Sequence, residues 1–75
     1  MSNPRFYCDL KHCRNLALGA VITLPERAAI HASRALRLQT GDGAILFNGD
    51  GNDYISELLL VKKNIVTAKV KAVKK

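Results

Sequence analysis

Four side chains in this chain could bind a metal ion: Cys8, His12, Cys13 and His31. Structural zinc sites bring their ligands together through short spacings such as C-x2-C or H-x3-H, and neither spacing occurs here. The neighbours His12 and Cys13 would also point apart. The pattern therefore argues against a zinc site, and in a chain without a signal peptide we expect both cysteines to be free thiols.

The run Asn48–Asp53 has the acids and glycines of a calcium loop but not their order. Its sixth position is Asp53, where such a loop needs Gly, and its twelfth is Leu59, where it needs Glu. The Gly41–Gly43 segment likewise lacks the third Gly or the Lys of a phosphate-binding loop. We predict that both segments are turns. No nucleophile–base set or catalytic pair of carboxylates stands out, so the residues themselves predict no catalysis and no bound cofactor.

Basic side chains are the remaining group that could do chemistry. Twelve Lys and Arg against six Asp and Glu give a net charge of +6 in 75 residues. This excess favours a polyanionic partner (RNA, DNA or an anionic membrane), and solubility alone is the alternative. Guanidinium groups bind phosphate through two hydrogen bonds and stack on unpaired bases. Six lysines and no acid follow from Lys62 onward, which suits phosphate attraction without sequence preference.

The basic residues of the middle segment share one side of a predicted helix. Thr23 and Glu26 have the spacing of a capping box, and Pro25 fits the first turn, so the helix should run from Pro25 to about Leu36. At about 100° per residue, one face is apolar and the opposite face is basic. The apolar face holds Ala28, Ala29, Ala32, Ala35 and Leu36, and the basic face holds Arg27, His31 and Arg34. Ile30 falls outside the apolar arc and could mark a contact with another segment.

Strands account for most of the remaining chain. They are predicted at residues 5–8, 20–24, 44–47, 54–61 and 65–73. Asn48–Gly51 and Lys62–Asn64 should close two hairpins. We expect the 44–47 strand to be buried, and Phe6, Tyr7 and Tyr54 to be core or sheet-face aromatics. Four or five strands with one helix predict a mainly β protein, a compact β-barrel.

Several of these residues together resemble the N-terminal domain of the ribosomal RNA small subunit methyltransferase E family. The resemblance covers roughly residues 4 to 73. It rests on Pro4-Arg5-Phe6-Tyr7, on Ala29-x-His31-x-x-Arg34-x-Leu36-Arg37-Leu38, on Gly41-Asp42, on Leu46-Phe47-x-Gly49 and on Tyr54. The sequence departs from the family pattern at Ala35, Gln39 and Asn48, and Gln39 removes a basic residue from its turn.

The resemblance implies a single PUA-like RNA-binding domain over residues 1–75. Family members use S-adenosylmethionine to methylate N3 of a uridine in 16S rRNA. Their catalysis, cofactor binding and homodimer contacts lie in a following SPOUT-type domain, which this sequence does not contain. The expected partner is thus 16S rRNA of the small ribosomal subunit, in the cytoplasm. The expected RNA-binding residues are Arg5, Arg27, His31, Arg34, Arg37, Lys62 and Lys63.

Two other functions remain open from the sequence. The chain could be a non-enzymatic domain whose basic face meets an acidic protein, with Ile30 at the contact, or a stand-alone RNA-binding barrel. His31 could be a solvated structural histidine as readily as an RNA contact. Because no apolar run approaches the roughly 20 residues of a membrane span and no signal-peptide core is present, we expect no membrane partner.

Overall fold

The computed structural model describes residues 3–8 and 16–75. It contains five strands and one helical region, all at places where the sequence predicts them. The strands are β1 (Arg5–Tyr7), β2 (Val21–Thr23), β3 (Gly43–Phe47), β4 (Asp53–Val61) and β5 (Val66–Lys74). The helical region consists of α1 (Glu26–Ile30) and a π-helical segment (His31–Ala35). The expected class, mainly β with one helix, is confirmed.

The five strands form one sheet in the order β1-β3-β4-β5-β2. The pairs β3–β4, β4–β5 and β2–β5 are antiparallel, whereas β1 runs parallel to β3 with Phe6 opposite Leu46. Both predicted hairpins are present, since turns at 48–52 and 62–65 join the paired strands. In the second turn the Lys62 amide donates to the Ile65 carbonyl at 2.8 Å.

Alternation along the strands places one set of side chains in the core and the other set outside. Phe6, Leu46, Tyr54 and Leu58 are buried on the inner side. The 44–47 strand is only half buried, because Ile45 and Phe47 alternate with the buried residues and face the outer side. The expectation of a wholly buried strand is therefore wrong, and Phe47 is available for contacts outside the core.

The helix packs on the inner side through its smallest residues. Ala29 and Ala32 are fully buried in the same core as Phe6 and Leu46, since a methyl group lets a helix approach a sheet closely. The capping box is absent: α1 has Pro25 as its N-cap and no side-chain cap. Thr23 cannot act as the cap because it ends β2, where it pairs with Thr67.

The second half of the helix departs from the predicted α-helix. The Leu36 amide donates to the His31 carbonyl at 3.0 Å, an i→i+5 bond, so each residue turns by less than in an α-helix. This rotation explains why Ala35 and Leu36 are exposed although the α-helical pattern places them with Ala32. Their predicted place on the buried face is wrong.

Of the four candidate zinc ligands, the described residues include only Cys8 and His31. Cys8 is buried and disulfide-bonded, so the expectation of a free thiol is wrong at this position. His12 and Cys13 lie outside the described residues. Within the described part of the chain, no group of three or more His, Cys, Asp or Glu side chains could hold a metal ion.

Candidate RNA-binding surface

Six of the seven predicted RNA-binding residues belong to the helix and to the turns around it. We call this set the helix–hairpin surface; it consists of Arg27, His31, Arg34, Arg37, Lys62 and Lys63. All six are exposed. In the described ranges 3–8 and 16–75, none of the arginines or lysines of this surface has a carboxylate partner. Their charge is therefore not neutralised by a carboxylate within the described ranges.

A hydrogen bond joins the two parts of this surface. The Ser33 hydroxyl donates to the backbone carbonyl of Lys63 at 2.8 Å. The turn between β4 and β5 consequently lies against the helix at the residue that precedes Arg34. Lys62 and Lys63, 25 or more positions away in sequence, thus become neighbours of the helix.

Arg37 has an unusual backbone conformation at the end of the helical region. Its φ is +51°, the left-handed region that a residue with a Cβ adopts only at a cost. The conformation is held from the next residue, because the Leu38 amide donates to the Ala32 carbonyl at 2.9 Å and Leu38 packs against the core. An arginine kept where glycine is the usual helix-ending residue suggests a use for its side chain.

His31 contacts the sheet through its ring. Its imidazole lies edge-on to the Phe6 ring, with 6.2 Å between centroids and 76° between planes. The residue as a whole is exposed, so one part of the ring packs while another meets solvent. Both sequence interpretations, structural histidine and RNA contact, fit this position.

The acids in the middle of the sequence form internal interactions. The Asp42 carboxylate accepts a hydrogen bond from the backbone amide of Gln39 at 2.8 Å, and Glu57 forms a salt bridge with Lys71 at 3.4 Å. The Asp50 carboxylate accepts from the Tyr54 hydroxyl and from the Asn52 amide. The Tyr54 hydrogen bond is the main cause that lowers the pKa of Asp50, and the same bond raises the pKa of Tyr54. These carboxylates thus stay engaged within the strands and turns that carry them.

Arg5, the seventh predicted residue, lies on the other side of β1. Phe6 faces the core and His31, so the neighbours Arg5 and Tyr7 face the outer side of the sheet. Arg5 donates two hydrogen bonds of 2.9 Å to the two carboxylate oxygens of Asp53. This pairing raises the pKa of Arg5 and lowers that of Asp53, so both groups are charged at neutral pH. The structure does not join Arg5 to the helix–hairpin surface.

Sequence reasoning missed a cluster around Arg5. Its guanidinium lies over the Phe47 ring, 5.0 Å from the centroid, and Tyr7 meets Phe47 edge-on at 5.6 Å. Arg5, Phe47 and Asp53, with Gly49, Gly51 and Asn52 of the 48–52 turn, line an open pocket of about 360 Å³. The parallel pairing of β1 with β3 brings them together, and the sequence holds no local signal of that pairing. Only the alternation Arg5-Phe6-Tyr7 hinted that two of them share a face.

The fold and the exposed cations together define the class of this protein: a small, mainly β domain with a basic helix packed across its sheet. Residues 24–71 match the family model for the RNA methyltransferase PUA domain, more than half of the chain. The chain therefore belongs to this family, and the PUA-like assignment is confirmed. No curated protein sequence matched the chain.

Three solved structures with similar folds are described as methyltransferases. Ribosomal RNA small subunit methyltransferase E of Neisseria gonorrhoeae, bound to S-adenosylmethionine, is 26% identical with a TM-score of 0.84. A proposed methyltransferase of Legionella pneumophila, also holding S-adenosylmethionine, is 26% identical with a TM-score of 0.86. A predicted RNA methyltransferase of Thermotoga maritima is 30% identical with a TM-score of 0.71. The matches cover 99%, 97% and 95% of this chain, respectively.

The chain spans less than a third of the length of these relatives, 28% or 29%. The described residues do not fit S-adenosylmethionine well, because the pocket that they line is open and, at about 360 Å³, is near the lower end of the range for small-molecule sites. No helix within the described ranges is long and apolar enough to cross a membrane.

Proposed function

We propose that this domain binds ribosomal RNA and positions it for methylation. The observation that carries the proposal is the helix–hairpin surface, whose cations have no carboxylate partner in the described parts of the chain. A phosphate backbone is the partner that uses such a surface best, because each cation releases a counterion when it meets a phosphate. Membership in an RNA methyltransferase domain family supports RNA over other polyanions.

The finer form of the proposal follows the family resemblance of the sequence. The domain would serve a methyltransferase that transfers the methyl group of S-adenosylmethionine to N3 of a uridine in 16S rRNA. Methyl transfer, cofactor binding and homodimer formation would belong to a separate SPOUT-type domain, and the protein would act in the cytoplasm during ribosome biogenesis. In this arrangement the chain itself contributes affinity and orientation, and no catalytic residue.

The surface is tested by removing the two arginines around its centre. Arg34→Ala with Arg37→Ala should abolish tight binding of a 16S rRNA fragment in a fluorescence anisotropy titration. Each phosphate contact contributes about 0.7–0.9 to the slope of log K against log salt, so the double variant should flatten that slope by about 1.4–1.8. The single variant Arg34→Lys should keep much of the wild-type salt slope but less of the wild-type affinity, since Lys lacks the two-pronged guanidinium that binds phosphate through two hydrogen bonds.

The control removes the same charge elsewhere. Lys69→Ala with Lys75→Ala also lowers the net charge by two; Lys69 lies on the outer side of β5, opposite the side on which the helix packs, and Lys75 follows the end of β5. It should leave the salt slope within about 0.5 of the wild-type value, because a charge that meets no phosphate releases no counterion. Equal losses in the two double variants would mean that binding follows net charge, and the assigned surface would be wrong.

The methylation step is tested in cells. Deleting the gene should remove one N3-methyluridine from 16S rRNA, as measured by nucleoside mass spectrometry, and the intact gene should restore it. Restoration by a gene carrying Arg34→Ala and Arg37→Ala should be slow or partial. Unchanged N3-methyluridine after deletion would refute this assignment.

Exposed apolar residues beside the basic surface favour a second candidate, a domain that binds an acidic protein. Ile30 is 37% exposed and Leu36 is 40% exposed. Such a domain would keep part of its affinity at high salt through these apolar contacts and would lose it on Ile30→Asp. Association with protein that persists at high salt, and no RNA binding at low salt, would select this candidate over the first.

A further inference from the structure

The open pocket on the outer side of the sheet lies apart from the helix–hairpin surface. It is lined by Arg5, Phe47, Gly49, Gly51, Asn52 and Asp53 and has a volume of about 360 Å³. This is near the lower end of the range for small-molecule sites, so it suits one planar group rather than a large ligand. β1, the start of β4 and the turn between β3 and β4 supply its walls.

Arg5 is held rigidly in this pocket while much of its side chain remains accessible. Asp53 fixes its orientation through two hydrogen bonds of 2.9 Å, and the Phe47 ring lies 5.0 Å from the guanidinium. The side chain nevertheless stays 52% exposed. Arg5 and Phe47 both line the pocket, so the accessible part of the guanidinium is within reach of a ligand there. The entropy cost of ordering a long side chain has already been met in the unbound protein.

The turn that forms the second wall is also ordered by internal hydrogen bonds. The Asp50 carboxylate accepts from the Asn52 amide at 2.8 Å and from the Tyr54 hydroxyl, and the Asp50 amide donates to the Asn48 side chain at 3.1 Å. Gly49 and Gly51 have φ values of +89° and +92°, and a Cβ at either would meet no atom within 4 Å. A ligand can therefore approach the backbone of this turn directly.

The charges of the pocket favour a neutral planar ligand over a phosphate. Asp53 neutralises Arg5 through two hydrogen bonds. A phosphate would have to compete with this bidentate carboxylate for the guanidinium. A neutral, flat aromatic group does not compete with Asp53, because it can stack on the guanidinium while the Arg5–Asp53 hydrogen bonds stay in place.

We propose that this pocket receives a single unstacked nucleobase of RNA, which stacks on the accessible part of the Arg5 guanidinium. The Asn52 side chain also lines the pocket. Its amide nitrogen donates to the Tyr54 hydroxyl at 3.3 Å, so we expect its carbonyl oxygen to accept from the polar edge of the base. This proposal rests on the proposed RNA-binding function and adds to it a second contact of a different kind. The helix–hairpin surface holds phosphates irrespective of sequence, and the pocket senses whether a base is turned out of its helix.

The test compares RNA duplexes that differ at one position. One duplex carries a bulged A, C, G or U, and its partner carries a bulged abasic nucleotide with the same backbone. Base stacking on a protein side chain typically changes affinity by about 5- to 150-fold, so wild-type protein should prefer at least one base-containing bulge by a factor in this range. In ¹⁵N-labelled protein, the amide signals of Gly49, Gly51 and Asn52 should shift with that duplex and not with the abasic one.

Two variants address the stacking platform without removing its charge. Arg5→Lys keeps the cation but lacks the flat guanidinium, and Phe47→Leu keeps the Arg5–Asp53 pair but removes the ring beneath it. Both should bring the base-to-abasic ratio close to 1 and leave the salt slope unchanged. Thermal unfolding of each variant checks that the fold persists, and Lys69→Ala serves as the control distant from the pocket.

The outcomes separate this proposal from the proposed function. Arg34→Ala with Arg37→Ala should flatten the salt slope but keep the base-to-abasic ratio. If wild-type protein shows no preference for any bulged base, or if folded Arg5→Lys and Phe47→Leu proteins retain the preference, the pocket proposal is wrong while the helix–hairpin surface can still stand. If Arg5→Lys and Phe47→Leu lose the base-to-abasic preference, and Arg34→Ala with Arg37→Ala keeps the wild-type salt slope, the pocket is supported. The helix–hairpin surface is then refuted.

Discussion

Replacing Arg37 with glycine separates the backbone role of this position from the role of its charge. At φ +51° a residue with a Cβ is strained by about 1–2 kcal/mol, and glycine is not. Glycine loses about 0.5–1 kcal/mol more backbone entropy on folding, which offsets part of that relief. The comparison with Arg37→Ala is the useful one, because both variants remove the guanidinium and only alanine keeps the strain.

We expect Arg37→Gly to be more stable than Arg37→Ala by about 0.5–1 kcal/mol, the difference between those two terms. In a domain of this size each kcal/mol shifts Tm by about 4–8 °C, so the two melting curves should be clearly resolved. Urea unfolding followed by circular dichroism gives the free energy, and the slope with urea should be the same in both proteins.

The RNA titration supplies the other half of this prediction. Both variants should lose the same RNA affinity relative to wild type, because the lost guanidinium is common to them. The reasoning fails if glycine is no more stable than alanine, since the left-handed conformation would then carry no strain. It also fails if the more stable Arg37→Gly protein binds RNA as well as wild type, since the arginine would then have no use that justifies its conformation.

Two further predictions concern the core and the response to acid. Leu58→Ala, at a fully buried position, should cost about 2–5 kcal/mol in urea unfolding, whereas Leu59→Ala, at a residue 41% exposed, should cost well under half as much; equal losses would contradict the assigned burial. Hydrogen bonds lower the folded pKa of Asp50 and Asp53 below the ordinary 3.8, so their contribution to stability is present above that pH and is lost as pH falls through the folded values. The urea midpoint should therefore drop below about pH 4, and Asp53→Asn should flatten the drop; an acid response unchanged by Asp53→Asn would show that the Arg5 pair does not contribute.

Local sequence signals were sufficient for the elements of this fold. Glycine and asparagine at 48–51 predicted the first hairpin, and alternation over Val66, Ala68 and Val70 predicted the buried face of β5. These signals act over a few residues, because turn conformation and strand alternation depend on neighbours in sequence. The prediction of core or sheet-face aromatics holds too, with Phe6 and Tyr54 in the core and Tyr7 exposed on the outer side of the sheet.

The features that sequence reasoning missed depend on contacts between distant segments. In the paired strands Ser56 lies opposite Val70 and Ile55 opposite Ala72, so Lys71 is left without a partner in the ladder. Nothing near Lys71 in sequence predicts this bulge. The π-helical segment also depends on contacts beyond its own sequence. Its i→i+5 hydrogen bond occurs together with the Ser33 hydrogen bond to Lys63 and with the hydrogen bond from the Leu38 amide to the Ala32 carbonyl. Each requires the tertiary structure to be known first.

The position of β1 determines how one RNA could use both proposed contacts. β1 is an edge strand only three residues long, with Arg5 on its outer side and Phe6, against His31, on its inner side. β1 therefore lies between the pocket on its outer side and the helix on its inner side. An RNA that crosses this edge can keep its backbone on the helix–hairpin surface while one base turns toward Arg5. Because the two contacts share no side chain, their free energies should add, and the second contact gains from the high local concentration that the first provides. A rigid, fully stacked duplex offers no base to the outer side, so such an arrangement would distinguish RNA with an unpaired nucleotide from regular helix without any additional recognition element.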